Sequence, residues 1–146
     1  MEVAGSEEAA LAIAIRRREI FLGRTTELAL DLDMRLLSTR IAGEFADLTG
    51  LALDAGQAAR WDIGKRLLEA GTSGAVFRRA ERADALFLAV FDAALLGRSV
   101  QGTHYRFVWD GKVIKSIYDF GNGQEIKRGY LLAGGSGLEA ALSYYP

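Results

Sequence analysis

Apolar residues recur along the chain with two different periods, one typical of a helix and one typical of a strand. Over Glu7–Phe21 they share one helical face, which predicts a first helix with Ser6 as its N-cap and Gly23 after its end. Over Leu28–Leu36 apolar and polar residues alternate, which predicts a strand. The chain is therefore expected to begin with a helix that is followed by a strand.

A second helix is predicted over Gln57–Ala70, because apolar residues return there at helical spacing. Gly50 and Gly56 bracket the loop before it, which contains Asp54, and Gly71 ends it. We expect the helix to bury one apolar face, formed by Trp61, Gly64, Leu67 and Leu68.

The middle of the chain carries the signals of short strands and a hairpin. Ala75–Phe77 and Leu86–Phe91 indicate strands, the second of them buried on both faces. Alternating aromatic residues then precede Asp110-Gly111, a dipeptide suited to a tight turn, and Val113–Tyr118 is the returning strand. This mixture of helices and mostly antiparallel strands predicts an α+β fold.

The domain organisation is predicted to be simple. Residues 1–120 form one domain, and residues 121–146 form a glycine-rich C-terminal tail, expected to be loop with a short terminal helix. A length of 146 residues suits a single core, and half of the residues are hydrophobic.

Composition excludes several classes of function. The net charge of −1 gives no overall attraction to nucleic acid or to an anionic membrane. The absence of cysteine excludes disulfides and thiolate metal sites, and it fits a cytoplasmic location. No apolar run is long enough to span a bilayer. We therefore expect neither a metal nor a resident cofactor, and neither nucleic acid nor membrane as a partner.

Several polar groups have a catalytic and a structural interpretation, and the structural one is preferred for each. His104 is the only histidine, so it has no second imidazole with which to hold a metal. Asp31 and Asp33 share a strand face, but acidic residues at alternate positions usually mark the solvent-exposed face of a strand. Arg16–Arg18 suit the negative end of a helix dipole, and the glycines around Gly134–Gly137 lack the lysine of a phosphate loop.

Aromatic residues provide a last candidate, since Trp61, Phe107 and Trp109 are able to stack on a nucleotide base. At helix or strand spacing, such side chains more often belong to the core. The residues taken alone therefore predict an α+β domain and leave its function open.

Three stretches of the chain resemble the RES-domain family in their order and spacing. The segment from Val100 to Gly111, Val-Gln-Gly-Thr-His-Tyr-Arg-Phe-Val-Trp-Asp-Gly, is similar to the family's closing hairpin. Upstream, Gly71-Thr-Ser-Gly-Ala-Val-Phe-Arg-Arg is similar to its glycine-led strand that ends in Tyr-Pro-Ser-Val-Arg. Glu8-Ala-Ala-Leu-Ala-Ile resembles the helix pattern Glu-Thr-Ala-x-x-Glu, and Phe21-Leu22 follows where the family has Phe-Leu.

The resemblance implies a fold similar to that of ADP-ribosyltransferases and an activity on NAD⁺. RES domains are toxins of toxin–antitoxin pairs that break the nicotinamide–ribose bond by phosphorolysis or hydrolysis. Positive charge develops on the ribose in that step, so a nearby carboxylate stabilises the transition state. NAD⁺ would be the substrate, and the partner would be an antitoxin with a helix-turn-helix DNA-binding part. A homo-oligomer is also expected.

The catalytic positions depart from the family pattern. In the register set by Ala9-Ala10 and Phe21-Leu22, the position of the family's catalytic glutamate is Ile13. The family's serine falls at Arg79, and the tyrosine before it falls at Phe77. The family's opening part, with a binding arginine and tyrosine, would lie before Met1, so we expect it to be missing.

Three hypotheses follow. The leading one is a RES protein with NAD⁺ degradation as its ancestral activity and with impaired catalysis at Ile13 and Arg79. The second is a non-catalytic binding module that engages an antitoxin or a toxin subunit. The third is an unrelated α+β domain with a similar hairpin.

Overall fold

A computed structural model describes residues 1–51 and 56–133 as two four-stranded sheets and three helices. Nearly all strand pairs are antiparallel, which confirms the predicted α+β class with mostly antiparallel strands. Within these residues no helix is long and apolar enough to cross a membrane.

The first helix forms where the sequence predicts it. Helix α1 spans Glu7–Leu22, and the Ser6 side chain accepts a hydrogen bond from the Ala9 backbone N–H at 3.2 Å. Gly23 follows the last turn and donates its N–H to the Glu19 carbonyl at 2.9 Å. Both ends are therefore set by local residues, as capping requires.

The first sheet has the strand order β1-β5-β4-β3. Its strands β1 and β5 are antiparallel, as are β5 and β4, whereas β3 runs parallel to β4. The four strands span Glu2–Ala4 (β1), Ala46–Asp47 (β3), Gly74–Arg79 (β4) and Arg82–Val90 (β5).

The second sheet has the order β2-β6-β7-β8, entirely antiparallel. The predicted hairpin is confirmed between β6 and β7. The Asp110 carboxylate accepts the backbone N–H groups of Lys112 and Val113 at 2.9 Å, and Gly111 adopts φ 99°, which favours glycine. The strands span Leu30–Ser38 (β2), Val100–Trp109 (β6), Ile114–Asp119 (β7) and Gln124–Lys127 (β8).

Helix α1 lies between the two sheets and contributes to two apolar clusters. The larger cluster joins the inner face of the second sheet to one side of the helix. The smaller one joins Ala9 and Ile13 to Phe87 of the first sheet. Both sheets therefore depend on α1 for their packing. The buried members of the larger cluster are Leu11, Ile15, Leu22, Tyr105, Phe107, Trp109, Ile114, Ile117 and Leu131.

Helix α2, Gln57–Glu69, begins and ends close to the prediction, but its expected burial is wrong. Trp61 is 69% exposed, Leu68 is 61% exposed, and none of its residues is buried. An amphipathic pattern shows that a helix has an apolar face, but it does not show which element covers that face. Strand β5 was likewise expected to be buried on both faces, yet Leu86 is 44% exposed beside the fully buried Phe87.

The glycine-rich tail is more structured at its start than predicted. Residues 124–127 pair with β7 as strand β8, and helix α3 follows over Arg128–Leu132 with Leu131 in the core. The loop prediction is wrong there, because a strand neighbour and a core site outweigh glycine content. The glycines Gly134–Gly137 and the loop residue Asp54 lie outside the described residues.

Candidate functional site

A cleft of about 1050 Å³ opens where the edges of the two sheets meet helix α1. Strands β1 and β5 form one wall, the end of β2 forms the opposite wall, and α1 forms the floor. Its surface is mostly apolar, with a few charged groups. The polar and charged residues that line it are Glu2, Ser6, Glu7, Arg17, Arg18, Ser38 and Thr39.

One face of α1 supplies the floor of this cleft. Glu7, Ala10, Ile13, Ala14 and Arg17 all line it, at the three- and four-residue spacing that places side chains on one side of a helix. Any group bound against α1 would therefore meet a carboxylate at one end, a guanidinium at the other, and apolar side chains between them.

Ile13 lies at the centre of this floor, and its side chain is 7% exposed. It packs with Ala9 and Phe87. A sec-butyl side chain offers neither a charge nor a hydrogen bond. The floor of the cleft is therefore apolar at Ile13.

Arg79 occupies the end of β4 and is held by two carboxylates. It donates hydrogen bonds to Glu2 at 2.9 Å and to Glu81 at 3.1 and 3.2 Å. Burial acts to lower the pKa of Arg79, but Glu81 and Glu2 more than offset this effect, so its pKa is raised. The pKa of Glu81 is lowered, chiefly by its hydrogen bond from Arg79. The guanidinium is therefore a structural cation within an ion-pair network.

The structure does not bring Ile13 and Arg79 into one pocket. Among the described residues, the cleft wall includes Glu2, the partner of Arg79, but not Arg79 itself. Arg17 reaches the same Glu2 carboxylate at 3.3 Å from the helix side. Phe77 packs against Phe87 with ring centroids 6.1 Å apart, so it belongs to the smaller apolar cluster.

A pairing that the sequence analysis missed lies at the start of α1. The hydroxyl of Tyr105, whose residue is 2% exposed, donates a hydrogen bond to the Glu7 carboxylate at the cleft. Burial raises the pKa of Glu7, and the negative charges of Glu8 and Asp119 raise it further. The sequence feature that indicates this pairing is Tyr105, which alternates with Phe107 and Trp109. A buried phenol hydroxyl needs a hydrogen-bond partner, which the other two aromatic side chains do not need to the same extent.

The remaining candidates lie elsewhere, mostly on the outer face of the second sheet. His104 lies 2.9 Å from an Arg35 nitrogen, and Asp33 pairs with Arg106 at 2.8 Å. Asp31 is exposed on the same strand face as Asp33. These contacts give the polar candidates structural roles on an exposed surface.

Arg16 pairs with Glu19 at 3.6 Å, while Arg18 borders the cleft. Phe107 and Trp109 belong to the core, whereas Trp61 is exposed. No three His, Asp or Glu side chains converge as metal ligands within residues 1–51 and 56–133.

The fold and the site define a class of protein: an α+β domain with an apolar cleft between two strand edges. The family model for the RES domain matches residues 3–110, and the chain belongs to the RES-domain family. This membership removes the hypothesis of an unrelated domain with a similar hairpin.

A relative from Sinorhizobium fredii, an uncharacterized protein called y4oC, is 39% identical over 128 residues. The match covers 87% of this chain and 55% of that relative, so the chain spans about half of the relative's length. No solved structure matches the chain.

Proposed function

We propose that this chain is a RES protein related to the NAD⁺-degrading toxins and that its own ability to break the nicotinamide–ribose bond is impaired. The observation that carries the proposal is the position of Ile13. It lies in the floor of the cleft, packed against Phe87. The resemblance assigns this position to the family's catalytic glutamate.

The physical argument concerns the charge that develops on the ribose. A carboxylate against an oxocarbenium-like centre stabilises it strongly in a cleft from which water is excluded. A hydrocarbon side chain gives no such stabilisation. Removing one such group typically costs about 10²- to 10³-fold in rate. Arg79 adds no compensating group, because its guanidinium is paired with Glu2 and Glu81 and its positive charge does not stabilise a cation that forms on the ribose.

The test restores the carboxylate at this site. Ile13→Glu is compared with Ile13→Gln, which has the same size and polarity without the charge, and nicotinamide release from NAD⁺ is measured. We expect only Ile13→Glu to exceed the wild type, by about tenfold or more, since one developing charge gains a partner. Equal rates for the two variants would contradict the assignment of position 13, provided that both have native circular dichroism spectra.

The wider family picture is part of the same proposal. The fold would be of the ADP-ribosyltransferase type, and the two mostly antiparallel sheets around α1 support this comparison. NAD⁺ would be the substrate and no resident cofactor would be needed. A helix-turn-helix antitoxin would be the partner, and the protein would act in the cytoplasm, where a chain without cysteine is suited to reducing conditions. A homo-oligomer belongs to the proposal as well.

A second candidate is a non-catalytic module that engages an antitoxin or a toxin subunit. The exposed apolar face of α2 favours it, because Trp61 and Leu68 lie one above the other and both face solvent. The test is co-purification with a helix-turn-helix protein encoded beside this chain. The Trp61→Ala/Leu68→Ala variant should lose the complex, whereas a control change of Arg66 to alanine, at an exposed residue on the opposite side of α2, should retain it. Retention by both variants would exclude α2 as the docking surface.

A further inference from the structure

The two ends of the cleft floor carry opposite charges. Helix α1 places Glu7 at one end and Arg17 with Arg18 at the other, and all three residues line the cleft. At a rise of about 1.5 Å per residue, Arg18 lies about 16 Å along the helix axis from Glu7. Two charges at this distance hardly neutralise each other where water reaches them. The cleft therefore has a negative end and a positive end.

The positive end keeps a positive charge after its ion pairs are counted. Arg17 lies 3.3 Å from the Glu2 carboxylate, but Glu2 also accepts a hydrogen bond from Arg79 at 2.9 Å. Arg79 pairs in turn with Glu81. In this network two guanidiniums face two carboxylates, so their charges cancel. Arg18 has no carboxylate partner among the residues that the structure describes, and its charge is in excess.

The floor between the two ends is apolar and leaves space for a ligand. Ala10 and Ala14 are half-buried, and their methyl groups do not fill the cleft above them. Ile13 lies between them with its side chain 7% exposed. A volume of about 1050 Å³ is at the upper end for sites that bind small organic molecules. The cleft therefore combines an apolar surface with a cationic group at one end.

We propose that the cleft binds a small organic phosphate ester, with its phosphate at Arg17 and Arg18 and its apolar body on the floor formed by Ala10, Ile13 and Ala14. A phosphate monoester carries nearly two negative charges at neutral pH, and guanidiniums bind its oxygens through paired N–H donors. The carboxylate of Glu7 disfavours the reverse orientation. Binding needs no carboxylate at Ile13, so this inference goes beyond NAD⁺ degradation.

The probe is phenyl phosphate, titrated into the isotope-labelled protein at low ionic strength and followed by NMR of the backbone amides. Arg18→Gln removes a charge that lines the cleft. Arg16→Gln is the matched control, because Arg16 is 48% exposed, pairs with Glu19 and lines a second pocket on another side of α1. The two variants have the same net charge, so general attraction to an anion changes equally in both.

We expect Arg18→Gln to weaken phenyl phosphate binding about fivefold or more and Arg16→Gln to weaken it less than about twofold. The shift changes in the wild type should centre on the amides of Ala14, Arg17 and Arg18. Equal weakening by the two variants overturns the proposal, because the attraction would then be unspecific. Absence of saturable binding by the wild type, or shift changes centred elsewhere, also overturns it.

Two further probes separate the apolar contact from the charge. Inorganic phosphate should bind about tenfold more weakly than phenyl phosphate or worse, because it has no ring to remove from water. Equal affinity would show an ion site only and overturns the proposal. Benzylamine, a cation of similar size, should leave the amides of Arg17 and Arg18 unchanged, and binding there as tightly as phenyl phosphate overturns it. These are binding results, so they stand or fall separately from nicotinamide release, which tests the proposed function.

Discussion

Removing Asp84 should destabilise the protein more than removing its partner Arg82. Arg82 lies in β5 with its side chain 6% exposed. It donates two hydrogen bonds of 2.8 Å to the Asp84 carboxylate and one of 3.0 Å to the Leu131 carbonyl of α3. This guanidinium therefore ties the first sheet to the last described helix.

The asymmetry follows from burial, because the Asp84 side chain is 43% exposed. Asp84→Ala leaves a buried cation without its carboxylate, which costs about 3 kcal/mol of unfolding free energy, at the low end for broken buried pairs. Arg82→Met leaves a carboxylate that water reaches, and methionine retains the apolar stem. That variant should lose about 2 kcal/mol, because it gives up the charged hydrogen bonds to the partly exposed Asp84 carboxylate and to the buried Leu131 carbonyl.

The assay is urea denaturation of both single variants and the double variant, followed by circular dichroism at neutral pH. The double variant should resemble Arg82→Met alone, because no stranded cation remains once the arginine is gone. The reasoning is refuted if Arg82→Met costs more than Asp84→Ala, or if the two effects simply add.

Three further outcomes are expected. The pKa of Glu7 is raised in the folded protein, so the stability that Glu7 contributes is present below its ordinary pKa of 4.5 and is lost as the pH rises above that value. Glu7→Gln should therefore lose less stability than the wild type over that rise, in a series of thermal melts at different pH. A Cβ at Gly74 would lie 2.1 Å from a carbonyl oxygen of the neighbouring strand, so Gly74→Ala should cost about 3 kcal/mol or prevent folding. A Cβ at Gly50 would meet no atom of the described residues within 4 Å, so Gly50→Ala should change the urea midpoint little. Phe107→Ala should cost about 3–5 kcal/mol because the side chain is fully buried, whereas Trp61→Ala should cost less than about 1 kcal/mol, and equal losses would show that α2 is packed after all.

The parts of the fold that local signals determine could be predicted from the sequence. Helix α1 has its own cap at Ser6, and the β6–β7 hairpin has its own turn at Asp110-Gly111. The alternation over Leu28–Leu36 likewise predicted β2, which is observed over Leu30–Ser38. In each case the deciding interactions join residues that are close in sequence.

The rest depends on neighbours that a single sequence does not name. Strand β8 exists because it pairs with β7, and nothing in its glycine-rich surroundings indicates this pairing. The contact between Glu7 and Tyr105 joins residues 98 positions apart. The predicted positions Ile13 and Arg79 came from resemblance alone, and only the structure shows that one lines the cleft and the other is held outside it.

The most direct test of the central claim is NAD⁺ loss by the purified wild-type protein at high concentration, with and without phosphate, followed by chromatography of the products. The account predicts no nicotinamide release above the background of buffer alone, because the floor of the cleft at Ile13 is apolar. Catalytic release of nicotinamide by the wild-type protein would contradict it and would show that other residues of this chain perform the reaction.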